Sequence, residues 1–252
     1  MDKEGNDTAT FWEHLDELRR VIIRILIVTG VFAIVAFCLK DLLFAVVLAP
    51  HSSDFFTYRI LGVESFRIHL MNTGLTEQFM IHMRMAVFAG LLMASPYIIY
   101  QLFRFMAPAL YEKERHITIW VVGSGYAMFI LGIVINYLII FPLTVRFLGT
   151  YQVSTDVENM LTLQSYVDTL LGLGLAIGVV FELPVVSGLL ACMGLLTATT
   201  MLHYRRHAIV LILIVAAIIT PTTDAFTLFI VALPIWMLFE VSIWIAWAVE
   251  PK

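Results

Sequence analysis

Gly178-Val179-Val180-Phe181-Glu182-Leu183-Pro184 places a carboxylate inside an apolar run that extends from about Val167 to Leu196. A run of that length reads as a membrane-spanning helix, because about 20 apolar residues cross a hydrocarbon core of about 30 Å. A carboxylate within such a helix has no water to solvate it, and inserting one at the centre costs about 2.5–3.5 kcal/mol. Glu182 is therefore read first as a functional group. Gly174, Gly178 and Glu182 recur every four residues and share one helix face. Small residues there let another helix approach closely, and the carboxylate can hydrogen-bond to it. The alternative is a contact inside the bundle, with a Tyr or Thr of the second or third apolar segment.

The rest of the chain has the same character. It is 61 % hydrophobic and 13 % charged, with a mean hydropathy of +0.93. Six apolar segments run from about Val21 to Leu39, Met83 to Phe103, Ile117 to Leu143, Val167 to Leu196, Ala208 to Thr220 and Ala225 to Val249. No duplication relates the halves, and no low-complexity linker divides them. The pattern predicts an all-α polytopic membrane protein, with residues 1–252 forming a single six-helix transmembrane domain. Segment five has about 13 residues, or about 20 Å. Segment six has about 15 residues between Asp224 and Glu240, or about 22 Å. Two short last helices would thin the bilayer or leave a polar recess. Alternatively, segment six continues to Val249 and Glu240 faces the bundle.

Charge orients the segments. Lys3, Arg19, Arg20, Arg24, Arg104, Lys113, Arg115, Arg205, Arg206 and Lys252 fall on one side, against Lys40, Arg59, Arg67, Arg84 and Arg146 on the other. The positive-inside bias puts both termini in the cytoplasm. The net charge of −4 argues against a nucleic-acid partner. Met1 to Thr10 lacks the basic start of a cleaved signal peptide, so insertion is expected to rely on the first transmembrane helix. Cys38 and Cys192 give no disulfide framework and no metal-ligand spacing, and are read as packing residues.

Two cytoplasmic stretches carry charge. Thr10 and Glu13 form a capping box that starts a helix. Phe11, Leu15, Leu18 and Ile22 make its apolar stripe, and Asp16 with Arg20 is an i, i+4 pair. Residues 1–20 fit a cytoplasmic interfacial helix that bends into segment one, or else simply a solvated charged face. Between segments two and three, Pro108 interrupts the helix, and Glu112 and Glu114 sit on an otherwise positive side, where they offer acceptors to a basic ligand or form a solvated loop. On the opposite side, residues 40–82 form a long outer loop that is expected to be a partly helical cap, because Phe55, Phe56, Ile60, Leu61 and Phe66 need cover. Enzyme motifs are missing, so no catalytic residue is assigned. His14 and Glu17 lack further ligands for a metal, and no cofactor is implied.

His14-Leu15-Asp16-Glu17-Leu18-Arg19-Arg20, Ala94-Ser95-Pro96-Tyr97-Ile98-Ile99-Tyr100-Gln101, Phe105-Met106-Ala107-Pro108 through Glu114-Arg115, Phe141-Pro142, Phe181-Glu182-Leu183-Pro184 and Thr220-Pro221-Thr222-Thr223-Asp224 stand in one order along six segments. In that order they resemble the TatC family, the receptor and core subunit of the twin-arginine protein translocase. The resemblance covers about Phe11 to Trp244. It implies six helices in a curved, concave bundle in a bacterial-type inner membrane, both termini being cytoplasmic. It implies binding of the twin-arginine signal peptides of folded proteins, assembly with TatA- and TatB-type single-span proteins, self-association and contact with membrane lipids. By the same resemblance, Glu17 and Glu114 receive the paired arginines, and Arg19, Pro96, Gln101 and Phe105 belong to the signal-peptide set. Glu182, with Gly174 and Gly178, belongs to the partner-helix face, and Pro50 and Asp224 to the outer side. The chain departs from the family pattern at Val21, at Glu77-Gln78-Phe79, and at the link before Asp224, which is one residue longer. The rival reading is a proton-coupled transporter titrating Glu182 and Asp224. It would need related halves and broken helices at the midplane, and neither related halves nor a central substrate cage is found. An intramembrane hydrolase would need a nucleophile and a base, which no motif supplies.

Overall fold

The computed structural model describes residues 4–52, 54–60, 62, 69–106, 115–151, 160–220 and 224–249. Two compact units emerge, residues 1–40 with 83–126, and residues 41–82 with 127–252.

In the first unit, α1 (Glu4–Cys38) is one continuous helix of 35 residues. Thr10 lies inside it, so the expected capping box does not start the helix and residues before Val21 form no separate element. No proline interrupts this stretch, and a helix already nucleated extends through it more easily than it restarts. α4 (Glu77–Met106) carries Pro96 in its interior. Proline has no N–H to give to the carbonyl four residues back. Ser95 Oγ donates to that carbonyl, Leu92 O, at 2.7 Å. α1 and α4 touch where both are small: a Cβ on Gly90 would lie 2.6 Å from Ala33 N and 2.7 Å from Ala33 Cα. Any side chain at Gly90 would push the helices apart.

In the second unit the 40–82 segment is partly helical. It contains α2 (Lys40–Leu48), a 3₁₀ turn (Ala49–His51), α3 (Phe56–Ile60) and β1 (His69–Met71). β1 pairs in parallel with β2 (Met160–Thr162), Leu70 opposite Leu161. Of the apolar residues that called for cover, Phe56 and Ile60 are exposed and Phe55 is half-buried, while Leu61 and Phe66 lie outside the described residues. Glu77 fastens the segment. Its Oε2 accepts from Thr73 N at 2.9 Å and Gly74 N at 2.8 Å, and its Oε1 accepts from Gln164 N at 3.2 Å.

α5 (Arg115–Ile135) runs through a π-helical turn (Asn136–Ile140) into α6 (Phe141–Thr150). Pro142 cannot donate to Leu138 O, and the Thr57 hydroxyl donates there instead. Pro50 likewise leaves Val46 O open, and Tyr137 OH donates to it at 2.7 Å. Tyr166 OH takes the next carbonyl, Val47 O, at 3.0 Å. Tyr58 OH lies 3.2 Å from Pro50 O and 2.9 Å from Pro142 O, so its one proton serves two proline carbonyls. Burial pushes the Tyr58 hydroxyl well above its ordinary pKa, against the opposing pull of Arg146, so it remains a donor.

α7 (Leu163–Val180) is capped by Thr162, whose hydroxyl accepts from Ser165 N at 3.2 Å. After a turn at Phe181 and Glu182 the chain continues as α8 (Leu183–Cys192), α9 (Ala198–His203), α10 (Arg205–Ile219) and α11 (Ala225–Val249). Leu173, Ile177, Phe181, Ala216, Val231 and Ile235 form the heart of the apolar core. α8 packs on α11 at Gly188, where a Cβ would meet Ile245 Cγ2 at 2.9 Å.

Among the described residues, five stretches are long and apolar enough to cross a membrane: Leu15–Cys38, Glu77–Phe105, Val121–Thr150, Leu163–Cys192 and Ala225–Val249. α10, with 15 residues, falls short at about 22 Å. The expectation of two short last helices is thus corrected for the second of them, since α11 has 25 residues and runs about 37 Å. Glu240 does not stop it, because Arg205 Nε and Nη2 both lie 2.7 Å from Glu240 Oε1.

Tyr58→Phe removes the donor shared by two buried carbonyls and should lower stability by about 1–3 kcal/mol. Tyr151→Phe, at an exposed position, should change little. Unfolding midpoints in detergent measure both, and equal midpoints for Tyr58→Phe and the parent would dismiss the hydroxyl as a tie.

Candidate functional site

Glu17, Arg20, Val21 and Arg24 fall at spacings of three and four along α1 and so share a face. Gln101, Arg104 and Phe105 do the same on α4. From the Ala33–Gly90 contact, about 11–12 residues along each antiparallel helix, or about 16–18 Å, lead to Val21 and Gln101. The backbones are close at the small residues, and larger side chains hold them apart here. The space between is a cavity of about 360 Å³, lined by the residues of both faces and by Asp16.

Val21 and Gln101 are buried in its wall, and Gln101 Nε2 donates to Tyr97 OH at 2.5 Å. The charged groups are not tied down. Among the described residues, Asp16, Glu17, Arg20, Arg24 and Arg104 make no ion pair and no hydrogen bond. The expected Asp16–Arg20 pair is therefore absent. An exposed i, i+4 pair stabilises by only a few tenths of a kcal/mol, which does not outweigh fixing two long side chains.

Of the residues expected in a signal-peptide set, the cavity brings together Glu17, Gln101 and Phe105. Arg19 is exposed and does not line it. Pro96 does not line it either, and sits where Ser95 rescues the freed carbonyl. Glu114, with Pro108 and Glu112, lies outside the described residues. Arg24 and Arg104 were not anticipated in the lining. The signal was their spacing, since Arg24 follows Glu17 by two turns and Arg104 follows Gln101 by three residues.

A second charged group sits elsewhere. Glu182 occupies the turn between α7 and α8, and both of its carboxylate oxygens are buried with no hydrogen-bond partner among the described residues. The glycines before it are already used. A Cβ on Gly178 would lie 2.8 Å from Phe129 Cε2 and 3.0 Å from Ile133 Cδ1. A Cβ on Gly132 would meet Phe181 Cγ at 2.8 Å and Gly178 Cα at 3.0 Å. The close approach read for a visiting helix at Gly178 is thus made by α5 of the same chain. Gly174 is also buried, and the Glu182 oxygens have no partner among the described residues.

Pro50 is buried and offers its carbonyl to Tyr58. Asp224 caps α11, its Oδ1 accepting from Thr227 N at 2.7 Å, and the adjacent Phe226 stacks on Phe147 with ring centroids 4.2 Å apart. Residues 221–223 of the link lie outside the described residues. Cys38 and Cys192 are exposed thiols rather than core packing residues. Among the described residues no group of three His, Cys, Asp or Glu side chains is placed to hold a metal.

Residues 13–234 match the family model for TatC, Sec-independent protein translocase protein. The Sec-independent protein translocase protein TatC of Koribacter versatilis is 33 % identical, over 100 % of this chain and 90 % of its own length. The protein of the same description from Deinococcus radiodurans is 34 % identical, over 94 % of this chain and 85 % of its own length. A crystal structure of the twin arginine translocase receptor TatC aligns with a TM-score of 0.78 at 29 % identity, covering 92 % of this chain and 97 % of that one. On the sequence match and the shared helical fold, this multi-pass membrane chain belongs to the TatC family, the Sec-independent protein translocase proteins.

Proposed function

We propose that the chain is the core receptor subunit of a twin-arginine translocase in a bacterial-type inner membrane. In this reading it has six transmembrane helices in a concave bundle, with both termini cytoplasmic. It binds the twin-arginine signal peptides of folded proteins and assembles with TatA- and TatB-type single-span partners and with further copies of itself. The observation that carries the reading is the Glu17 carboxylate, without a partner among the described residues, on the cavity wall beside Gln101 and Phe105. A guanidinium stays charged at any physiological pH and binds a carboxylate through two parallel hydrogen bonds. Two adjacent arginines need two such acceptors, and Glu17 and Glu114 supply them. The Gln101 amide and the Phe105 ring offer a polar and an apolar contact to the residues that follow. Glu182 receives a polar group of a partner helix, since a buried carboxylate with no internal partner is costly in the resting chain.

Glu17→Gln should weaken photocrosslinking of a twin-arginine peptide by about tenfold, the loss of one charge-assisted contact of about 1.5 kcal/mol. A twin-lysine peptide should crosslink poorly to both forms. Undiminished crosslinking to Glu17→Gln would remove Glu17 from the site.

Glu182→Leu takes an unpaired carboxylate out of an apolar setting and should raise thermal stability in detergent by about 1–3 kcal/mol. The same change should reduce copurification of the single-span partners while leaving peptide crosslinking at the cavity intact. A stability loss together with normal partner recovery would show that Glu182 serves the fold alone.

A further inference from the structure

We propose that the cavity between α1 and α4 also holds the phosphodiester of an anionic phospholipid, gripped by Arg20, Arg24 and Arg104. The inference rests on the receptor reading above, which gives roles to the carboxylates and leaves these three guanidiniums without one. They outnumber Asp16 and Glu17 in the lining, and none of the three has a counter-ion among the described residues. A pair of incoming arginines would meet net positive charge from these walls. An anion bound to the three guanidiniums removes that repulsion.

Depth favours a lipid as the source of the anion. Arg24 lies inside the apolar stretch Leu15–Cys38, about 4–5 Å beyond Val21, where the continuous apolar run begins. An arginine at that level reaches back to the interface, where lipid phosphates lie. Guanidinium and phosphate match geometrically, with two parallel N–H···O contacts each. Buried Val21 and half-buried Phe105 give the same cavity an apolar wall for the glycerol and the first methylenes. A volume of about 360 Å³ is in the range of small-molecule sites. The nearby carboxylates select against a second anion, so one phosphodiester is the expected load. Positive walls disfavour a zwitterionic headgroup, whose choline would have to enter with its phosphate. The bound lipid and the signal peptide then occupy the cavity together, the phosphate on the guanidiniums and the peptide on the Glu17 carboxylate.

The test titrates the full chain in detergent with phosphatidylglycerol, phosphatidylcholine or inorganic phosphate, and counts adducts by native mass spectrometry. The parent should hold one phosphatidylglycerol about tenfold more tightly than Arg24→Gln/Arg104→Gln, and Arg24→Lys/Arg104→Lys should recover most of the binding. The Lys variant guards against misfolding, because it shares the loss of arginine packing but keeps the charge. Equal adducts on the parent and the Gln variant overturn the proposal. Phosphatidylcholine binding as tightly as phosphatidylglycerol overturns it as well. Displacement of the lipid by inorganic phosphate at equal concentration assigns the site to free phosphate and overturns the lipid. Peptide crosslinking at Glu17, scored in the same samples, separates the two readings. Lost crosslinking with the lipid contrast retained defeats the receptor reading alone, and the reverse pattern defeats the lipid alone.

Discussion

Every backbone carbonyl inside a membrane must find a donor within the protein, because no water is there to supply one. This chain places prolines at 50, 96 and 142, each of which withdraws an N–H from the carbonyl four residues back. In each case a hydroxyl fills the gap: Tyr137 at Val46 O, Ser95 at Leu92 O and Thr57 at Leu138 O. The first and third of these donors come from distant parts of the sequence, so they also bind the 40–82 segment to the π-helical turn Asn136–Ile140. Tyr58 and Tyr166 complete the set at Pro50, Pro142 and Val47. A proline that would weaken an isolated helix becomes the point where another element attaches. The π-helical turn before Pro142 belongs to the same adjustment, since it changes the hydrogen-bond register on the approach to a residue that cannot donate.

Against that economy Glu182 is an exception. The carbonyls of Val46, Leu92 and Leu138 are recaptured, while its two oxygens have no partner among the described residues. The turn at Phe181 and Glu182 exists because Pro184 withholds its N–H from Val180, so α7 cannot continue unbroken into α8. Phe181 faces inward and fills the space over Gly132, which fixes the turn against α5. The carboxylate next to it is therefore held by a rigid neighbour. Its two oxygens have no partner among the described residues, and under the proposed function a partner helix supplies the group they lack.

Much of the fold was legible because hydrophobic length is a strong signal. The long apolar runs became helices, but the run from Val167 to Leu196, read as one helix, turns at Phe181 and Glu182 ahead of Pro184. The misreadings have physical causes. The box at Thr10 and Glu13 is a local pattern, and α1 simply runs through it, because a capping motif competes poorly with helix propagation from an earlier start. One of the two readings of segment six ends it at Glu240, but that carboxylate is paired with Arg205, 35 residues upstream in sequence and 2.7 Å away in space. Gly178 was read correctly as a place of close approach, and the identity of the approaching helix was not readable. A small residue announces contact without naming the partner, and Phe129 and Ile133 are some 45–50 residues distant. The anchoring role of Glu77 was not readable, because three of its four donors are backbone N–H groups that leave no trace in side-chain patterns.

The cavity was legible by halves for the same reason. Each face could be read from its own helix, while their meeting depended on the register set at Ala33 and Gly90. That register also explains why the charged side chains there make no ion pair among the described residues. Gly90 brings the backbones together well away from the cavity, and the buried Val21 and Gln101 keep the helices apart beside it. Asp16, Glu17 and the three arginines then stand around a gap instead of against one another. Under the proposed function, ligand arginines approaching such a gap break no ion pair seen among the described residues before making their own, so the full strength of each new contact is available for binding. Had the wall been closed by internal salt bridges, recognition would reduce to an exchange of like for like, with little free energy left to tell arginine from lysine.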